Sequence, residues 1–120
     1  MARHNELGKK GEELAATWFV EKGYDILHRN WKHGPYELDI IARQDNVYHF
    51  VEVKTGHRNR YGHPEERIGK KKLQQMMKAA AAWLFRAGIS ADARIQYDVL
   101  AITIQPGAQP EFFLITDVYL

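Results

Sequence analysis

Two short segments, residues 37–41 and 50–54, lie on either side of Asp45-Asn46 and constrain the fold more than any other part of the sequence. Both segments alternate apolar and polar residues, as β-strands with two different faces do. An Asp-Asn pair between two such segments is typical of a tight β-hairpin. If the pair forms a two-residue loop, Gln44 lies opposite Val47, and this pairing fixes the register of the whole hairpin.

This register brings together the side chains that can carry chemistry. It places Asp39 opposite Glu52, and Glu37 opposite Lys54. Like charges that face each other on a sheet repel, and the cost rises as they leave water. A divalent cation between Asp39 and Glu52 would turn that repulsion into attraction, so the pattern indicates a metal site. The competing interpretation is an edge hairpin with a solvated acidic face, in which Glu37 and Lys54 form a surface salt bridge.

Alternation along the strands also predicts which faces of the hairpin are buried. Leu38 and Ile40 are expected to share one face of the first strand, and Val51 and Val53 one face of the second. The second strand is strongly apolar. We therefore expect it in the centre of the sheet rather than at an edge, which favours the metal-site interpretation.

The hydrophobic pattern predicts two helices and five strands. The first helix runs from an N-cap at Asn5 to about Lys22, and the second from Pro64 to a stop at Gly88. The predicted strands cover residues 24–30, 37–43, 47–54, 95–104 and 111–116. The resulting order, αβββαββ, predicts an α/β fold with a mixed sheet of about five strands and a helix on each side. No repeat or linker interrupts the sequence, so residues 1–120 are expected to form one domain.

Composition and charge narrow the classes of function. The 120 residues include no cysteine, which excludes thiolate metal sites and fits a cytoplasmic protein. No apolar run is long enough to cross a bilayer and no signal segment opens the chain, so no membrane association is expected. The net charge is only +2, but residues 54–78 hold eight basic and two acidic residues. Such a segment is the footprint of a polyanion site, and a solvated helix face explains it equally well.

The motif D-x(n)-E-x-K, formed here by Asp39, Glu52 and Lys54, resembles the active-site signature of metal-dependent nucleases. Restriction endonucleases and archaeal Holliday-junction resolvases belong to that superfamily. The sequence is more similar to one bacterial branch, the YraN-like family of small proteins of unassigned function. The matching segments extend over nearly the whole chain: Gly8-Lys9-Lys10-Gly11-Glu12, Gly23-Tyr24, Asn30-Trp31, residues 37–42, residues 50–55, Tyr61-Gly62, residues 70–72 and Tyr97-Asp98-Val99.

This resemblance implies a restriction-endonuclease-like three-layer fold with an active site. The implied catalytic residues are Asp39, Glu52, Lys54, Glu12 and Glu37, and the implied ligands of Mg²⁺ or Mn²⁺ are Asp39, Glu52 and Glu12. The implied reaction is hydrolysis of phosphodiester bonds in nucleic acid, DNA rather than RNA, with branched or flap structures as candidate substrates. Lys54 is expected to orient the attacking water or to stabilise charge on the phosphate. Because resolvase-like enzymes act as dimers, the resemblance also implies a homodimer.

Two departures from the family pattern concern contacts with phosphate. Tyr36 stands where relatives usually have glycine before the first carboxylate, and Gly56 where they often have arginine. The basic residues that we expect to contact nucleic acid are Arg58, Arg60, Lys70, Lys71 and Lys72. Glu12 also has a second explanation, as a charge that favours the helix dipole near the N-terminus of the first helix.

Two other classes of function stay open on the sequence alone. One is a nucleic-acid-binding domain that keeps the fold but does not catalyse, and the other is a protein-interaction domain whose basic segment is incidental. The salt dependence of binding distinguishes these two classes, because a nucleic-acid binder loses affinity steeply as ionic strength rises. Metal-dependent turnover separates both of them from the nuclease.

Overall fold

The computed structural model describes residues 2–57 and 69–118, with side chains from residue 6 onward. Its elements are α1 (Ala2–Glu21), β1 (Asp25–His33), β2 (Tyr36–Gln44), β3 (Val47–Gly56), α2 (Lys70–Ala87), β4 (Arg94–Thr103) and β5 (Glu111–Ile115). All five predicted strands are present, and the predicted order αβββαββ is confirmed. Across the two described ranges, neither helix has an apolar stretch long enough to span a membrane.

The strands form one sheet whose spatial order equals their order in the chain, β1-β2-β3-β4-β5. β3 and β4 are parallel, and every other neighbouring pair is antiparallel. A parallel pair needs a crossover connection, and α2 lies in that crossover. β3 occupies the middle of the sheet, which confirms the position predicted from its apolar residues.

The hairpin of β2 and β3 has the predicted turn, and the predicted register is confirmed from the turn to Ile40, whereas the predicted pairs Asp39–Glu52 and Glu37–Lys54 are not part of the ladder. Asp45 and Asn46 have φ angles of 52° and 65°, the left-handed conformation that a type I′ two-residue loop requires. Gln44 pairs with Val47, and the ladder continues in the same register as far as Ile40. The two-residue loop therefore fixes the register from the turn to Ile40, and the contact between Asp39 and Glu52 lies beyond this ladder.

A hydrophobic cluster covers each side of the sheet. On the α1 side, Ala15 and Phe19 pack with buried residues of β2, β3 and β4. On the α2 side, Met76, Ala79 and Ala80 pack with a different set from the same three strands. The sheet is therefore flanked by one helix on each side, as predicted, and its central strands are buried on both faces.

The expected placement of Leu38 and Ile40 on one face of β2 is wrong. Leu38 belongs to the α2-side cluster and Ile40 to the α1-side cluster. The alternation breaks at Asp39 between them, whose carboxylate accepts a hydrogen bond from the backbone N–H of Val53 at 2.7 Å. In the neighbouring strand β1, Asn30 lies opposite Asp39 and has a φ of 52°. The hairpin therefore twists at Asp39. Beyond Ile40 the backbones of β2 and β3 are no longer paired, and the hydrogen bond from Val53 to the Asp39 carboxylate links the two strands instead.

The predicted start of the first helix is also wrong, and the second helix is not continuous through Gly69 as predicted. α1 begins before Asn5, which lies inside the helix rather than at its N-cap, because no proline or glycine precedes it to stop the helix. α2 begins only at Lys70, since the residue before it, Gly69, has an extended backbone (φ −73°, ψ 165°) and is the N-cap. The predicted start at Pro64 lies outside the described residues, but a continuous helix from there is excluded. The stop at Gly88, with a φ of 71°, is confirmed.

A buried polar pair that the sequence did not predict joins β3 to β4 on the α1 side. His49 Nδ1 lies 2.8 Å from Asp98 Oδ2, and Asp98 is completely buried. The second Asp98 oxygen accepts hydrogen bonds from the Gln96 side chain at 3.1 Å and the Asp117 N–H at 2.9 Å. The ring of Tyr24 packs edge-on against His49. One buried carboxylate therefore ties the segment after β5 to the centre of the sheet.

Replacing Asp98 with alanine is expected to lower the free energy of unfolding by about 3–5 kcal/mol. The change would leave His49 and the Asp117 N–H without their acceptor inside the protein. Urea unfolding followed by far-UV circular dichroism measures the loss. Asp92→Ala is the matched control, because Asp92 is exposed and its replacement should change stability by less than about 0.5 kcal/mol. Equal effects of the two variants would contradict the assignment.

Candidate active site

The residues of the D-x(n)-E-x-K motif lie around the point where β2 and β3 part. Asp39 is at that point in β2, and Glu52 and Lys54 are in β3 near its carboxyl end. Both helices approach this end of the sheet: Gly11 of α1 packs against the end of β3, and Lys72 of α2 reaches Glu52. The site therefore lies between the N-terminal halves of two helices, next to the carboxyl end of the parallel strand pair. Ligands in open α/β sheets commonly bind at such ends.

Three carboxylates converge at this point. One oxygen atom from each of Glu12, Glu37 and Asp39 lies within 4.8 Å of the other two, and all three residues are half-buried. The sequence led us to expect Glu12, Asp39 and Glu52 as the ligand set, with Glu37 as a catalytic residue. The geometry instead groups Glu37 with Glu12 and Asp39. It places Glu52 beside Asp39 in the direction of α2.

Asp39 resists ionisation more strongly than an ordinary aspartic acid. Burial raises the pKa of Asp39 to about 7, from its ordinary value of 3.8. The negative charge of Glu52 is the next cause of the rise, and the charges of Glu12 and Glu37 add to it. The hydrogen bond from the Val53 N–H opposes these effects on the pKa. A carboxyl in such surroundings gains most from an added cation, because a nearby positive charge favours its ionised form.

Glu52 has different surroundings. Burial raises its pKa as well, but the positive charges of two lysines oppose the rise. The larger opposing effect comes from Lys72, whose Nζ lies 3.7 Å from Glu52 Oε1, and the next from Lys54. A hydrogen bond with the Asp39 carboxyl also lowers the pKa of Glu52. Glu52 thus faces two ammonium groups, whereas Asp39 faces three carboxylates.

The place of Lys72 beside Glu52 was not predicted, since the sequence suggested only a contact with nucleic acid. The signal that could have found it is helical spacing: Lys72 is four residues before the buried Met76 and so borders the buried face of α2. The other basic residues named from the sequence are exposed (Lys70, Lys71) or lie outside the described residues (Arg58, Arg60). The helix therefore brings one lysine into the site and leaves its neighbours at the surface.

The close approach of α1 depends on the glycine at position 11. A Cβ atom at Gly11 would overlap the side chain of Thr55 in β3. Without a side chain there, the helix backbone can lie directly on the end of the strand. Glu12, the next residue, is thereby held close to Asp39.

Replacing Gly11 with alanine is expected to lower the free energy of unfolding by about 1–3 kcal/mol, because either the helix or Thr55 must move. The same displacement should weaken Mn²⁺ binding, since Glu12 moves with the helix. Urea unfolding and isothermal titration with Mn²⁺ measure the two effects. Gly8→Ala is the control, because a Cβ at Gly8 meets nothing within 4 Å. That change should instead stabilise the helix by about 0.5–1 kcal/mol. Loss of stability in both variants to the same extent would contradict the close-packing argument.

The donor set suits a hard divalent cation. Mg²⁺ prefers oxygen ligands at about 2.1 Å in octahedral geometry, which puts ligand oxygens about 3–4 Å apart. The oxygens of Glu12, Glu37 and Asp39, within 4.8 Å of one another, are near that spacing already. Among the described residues this group holds three carboxylates and no imidazole, and the sequence has no cysteine, so the donor set favours Mg²⁺ or Mn²⁺ over zinc.

Several known proteins are similar in sequence to this chain. A family model described as "Uncharacterised protein family UPF0102" matches residues 11–102, which include all the acids of the site. A UPF0102 protein of Phocaeicola vulgatus is 41% identical over 102 residues, which cover 85% of this chain and 83% of the relative. A UPF0102 protein of Geobacter sulfurreducens is 40% identical over 98% of this chain and 92% of its own length. One from Leifsonia xyli is 39% identical over 92% of this chain and 93% of its own. The chain therefore belongs to the UPF0102 family, the YraN-like family that its motifs resemble.

Proposed function

We propose that the protein is an endonuclease that uses Mg²⁺ or Mn²⁺ to hydrolyse phosphodiester bonds in DNA, with branched or flap structures as substrates. The observation that supports this most is the meeting of four carboxylates and two lysines at one point of the sheet. Asp39 lies among three other acids, and its pKa is raised to about 7. Burial and mutual repulsion make this arrangement costly for stability alone. A functional role therefore explains this cluster of charges better than a structural role does.

In this proposal Glu12, Glu37 and Asp39 hold the cation. When bound, it supplies Lewis acidity, which lowers the pKa of a water and offsets charge on the phosphate. Glu52 lies beside Asp39 and is proposed as a further ligand, with its Oε1 also 3.7 Å from Lys72 Nζ. This assignment keeps the ligands named from the sequence and adds Glu37.

The lysines act on the phosphate side of the site. Lys54 lies close enough to Glu52 to lower its pKa, and in this arrangement its ammonium group stabilises the negative charge that develops as water attacks phosphorus. Lys72 binds a neighbouring phosphate oxygen from the helix. Arg58, Arg60, Lys70 and Lys71 are proposed to contact the DNA backbone.

The test is cleavage of linear, flap and four-way-junction DNA by the purified chain with Mg²⁺, with Mn²⁺ and with EDTA. The expected result is cleavage of at least one branched substrate with metal and none with EDTA. Glu52→Gln, which keeps the shape of the side chain but removes its charge, should reduce the rate strongly. Equal cleavage by wild type and variant would show a contaminating nuclease and overturn the proposal, as would intact DNA under every condition.

A nucleic-acid-binding domain without turnover remains the alternative function. The exposed lysines at the start of α2 favour binding in either case. Binding that weakens with salt, together with intact DNA in the cleavage test, would favour this alternative over the nuclease.

A further inference from the structure

A second group of residues next to the acidic cluster has no part in the proposed chemistry. Trp31 and His33 in β1 stack with their ring planes 7° apart and their centroids 6.0 Å apart. Arg86 Cζ of α2 lies 5.7 Å from the centroid of the Trp31 ring, and Lys78 Nζ lies 5.7 Å from that of Tyr36. We call these five residues the aromatic shelf.

The aromatic shelf adjoins the candidate active site. Trp31 pairs with Leu38, the residue before Asp39 in β2, and neighbouring strands are only about 4.8 Å apart. Trp31 and Tyr36 pack on the α2 side of the sheet, the side from which Lys72 reaches the site. A chain molecule held at the acidic cluster and directed along α2 would therefore pass over the shelf.

Charge identifies the kind of molecule that fits there. Helix α2 carries five basic residues and no acidic one, and both Lys78 and Arg86 are exposed. A second copy of this protein on the same face would set these like charges against each other, so self-association through the shelf is disfavoured. A polyanion is attracted, and the half-buried His33 ring, which stacks on Trp31, is where an unpaired base would extend the stack. Duplex DNA keeps its bases inside, so a single strand uses both features.

We propose that the aromatic shelf binds a single-stranded stretch of nucleic acid beside the phosphate held at the acidic cluster, with bases on the rings and phosphates on Lys78 and Arg86. This inference rests on the function proposed above and adds its substrate class, a strand with an unpaired segment next to the cut. It assigns to nucleic-acid binding a surface separate from the basic residues at the start of α2.

The test measures binding of the full chain to fluorescein-labelled oligothymidine by fluorescence anisotropy in EDTA. The double variant Lys78→Gln/Arg86→Gln should lose at least about tenfold in affinity, and the slope of log K against log salt should fall by about 1.4, or 0.7 per lost phosphate contact. His33→Ala should lose about fivefold or more through stacking. The control is Lys22→Gln/Arg43→Gln, which removes two cations that also lie over aromatic rings, Trp18 and Tyr48. It should bind within about twofold of wild type.

Other outcomes overturn the proposal. Equal losses in the test and control variants would mean that only net charge matters. An equal loss on a duplex of the same length would remove the single-strand part. A change in sedimentation with unchanged binding of DNA would assign the shelf to self-association.

Cleavage of flap DNA by the same variants separates this inference from the proposed function. If wild type cuts and the shelf variant cuts with unchanged KM, the shelf has no role but the nuclease stands. If nothing is cut but the shelf variant binds weakly, the shelf stands and hydrolysis fails.

Discussion

Replacing Lys54 with methionine is expected to reduce the rate of metal-dependent DNA cleavage by about 10²–10³-fold. Lys54 lies near Glu52 at the point where β2 and β3 part. In the proposed reaction its charge is needed most when negative charge develops on the phosphate, so kcat should fall while KM changes little. Single-turnover cleavage of a labelled flap at saturating protein measures the effect directly.

The control for Lys54→Met is Lys22→Met, which removes the same charge at the far end of α1. Lys22 is exposed and lies over the Trp18 ring, 5.4 Å from its centroid. Its loss should change the rate by less than about twofold, because Lys22 lies at the turn end of the β2–β3 hairpin, where its backbone oxygen accepts a hydrogen bond from Gln44, and salt screens an exposed charge there from the site. A wild-type rate for Lys54→Met in single turnover would exclude Lys54 from the chemical step.

Replacing Asp39 with asparagine is expected to raise the free energy of unfolding of the metal-free protein at pH 8 by about 2–4 kcal/mol. Folding raises the pKa of Asp39 from 3.8 to about 7, so the folded state binds the proton more tightly than the unfolded state. The stability that comes from this proton is complete below about pH 4 and is lost as pH rises through about 7. Asparagine cannot ionise, and its amide oxygen can still accept the Val53 N–H.

The pH dependence supplies the control for Asp39→Asn. The variant and wild type should differ clearly less at pH 5 than at pH 8, and urea unfolding at the two pH values measures the difference. Adding Mn²⁺ at pH 8 should stabilise wild type by about 2.7 kcal/mol at a hundred times Kd and leave the variant nearly unchanged. Equal loss of stability by both proteins between pH 5 and pH 8 would show that the Asp39 pKa is not raised.

The affinity for Mn²⁺ should depend on the same ionisation of the Asp39 carboxyl. A carboxylate must lose its proton to bind a cation, so wild-type Mn²⁺ affinity is expected to rise with pH up to about 7 and then level off. Isothermal titration at several pH values in two buffers of different ionisation enthalpy would also count the protons released on binding. Zero proton release at pH 6 would contradict the assignment of Asp39 as a ligand.

Local rules were sufficient for most of the fold. Alternation marked the five strands, and the Asp45-Asn46 pair predicted the hairpin register because a two-residue loop allows few backbone conformations. The start of α2 was missed because Gly69 can be extended or helical, and only its tertiary surroundings decide between the two. The predicted start at Pro64 lies outside the described residues.

The sequence predicted the arrangement of the site less completely than it predicted the fold. Regular alternation put Glu37 and Asp39 together, but it could not show the twist at Asp39 that moves Leu38 and Ile40 to opposite clusters. The pair of His49 and Asp98 joins residues far apart in the chain, and no local pattern marks such a pair. Long-range geometry, which strand patterns do not contain, decided these contacts.

The order of strands in the sheet has a consequence for how the chain folds during synthesis. Every strand lies beside its neighbour in the chain, so the sheet can grow at one edge as the polypeptide lengthens, starting from the β1–β2–β3 meander. Hairpins close within microseconds, whereas the parallel β3–β4 contact must wait for the whole crossover. The acids from Glu12 to Glu52 all precede α2 in the chain and are therefore synthesised before it. If the proposed cation binds them at that stage, it would hold the meander together until the positively charged helix packs on the sheet.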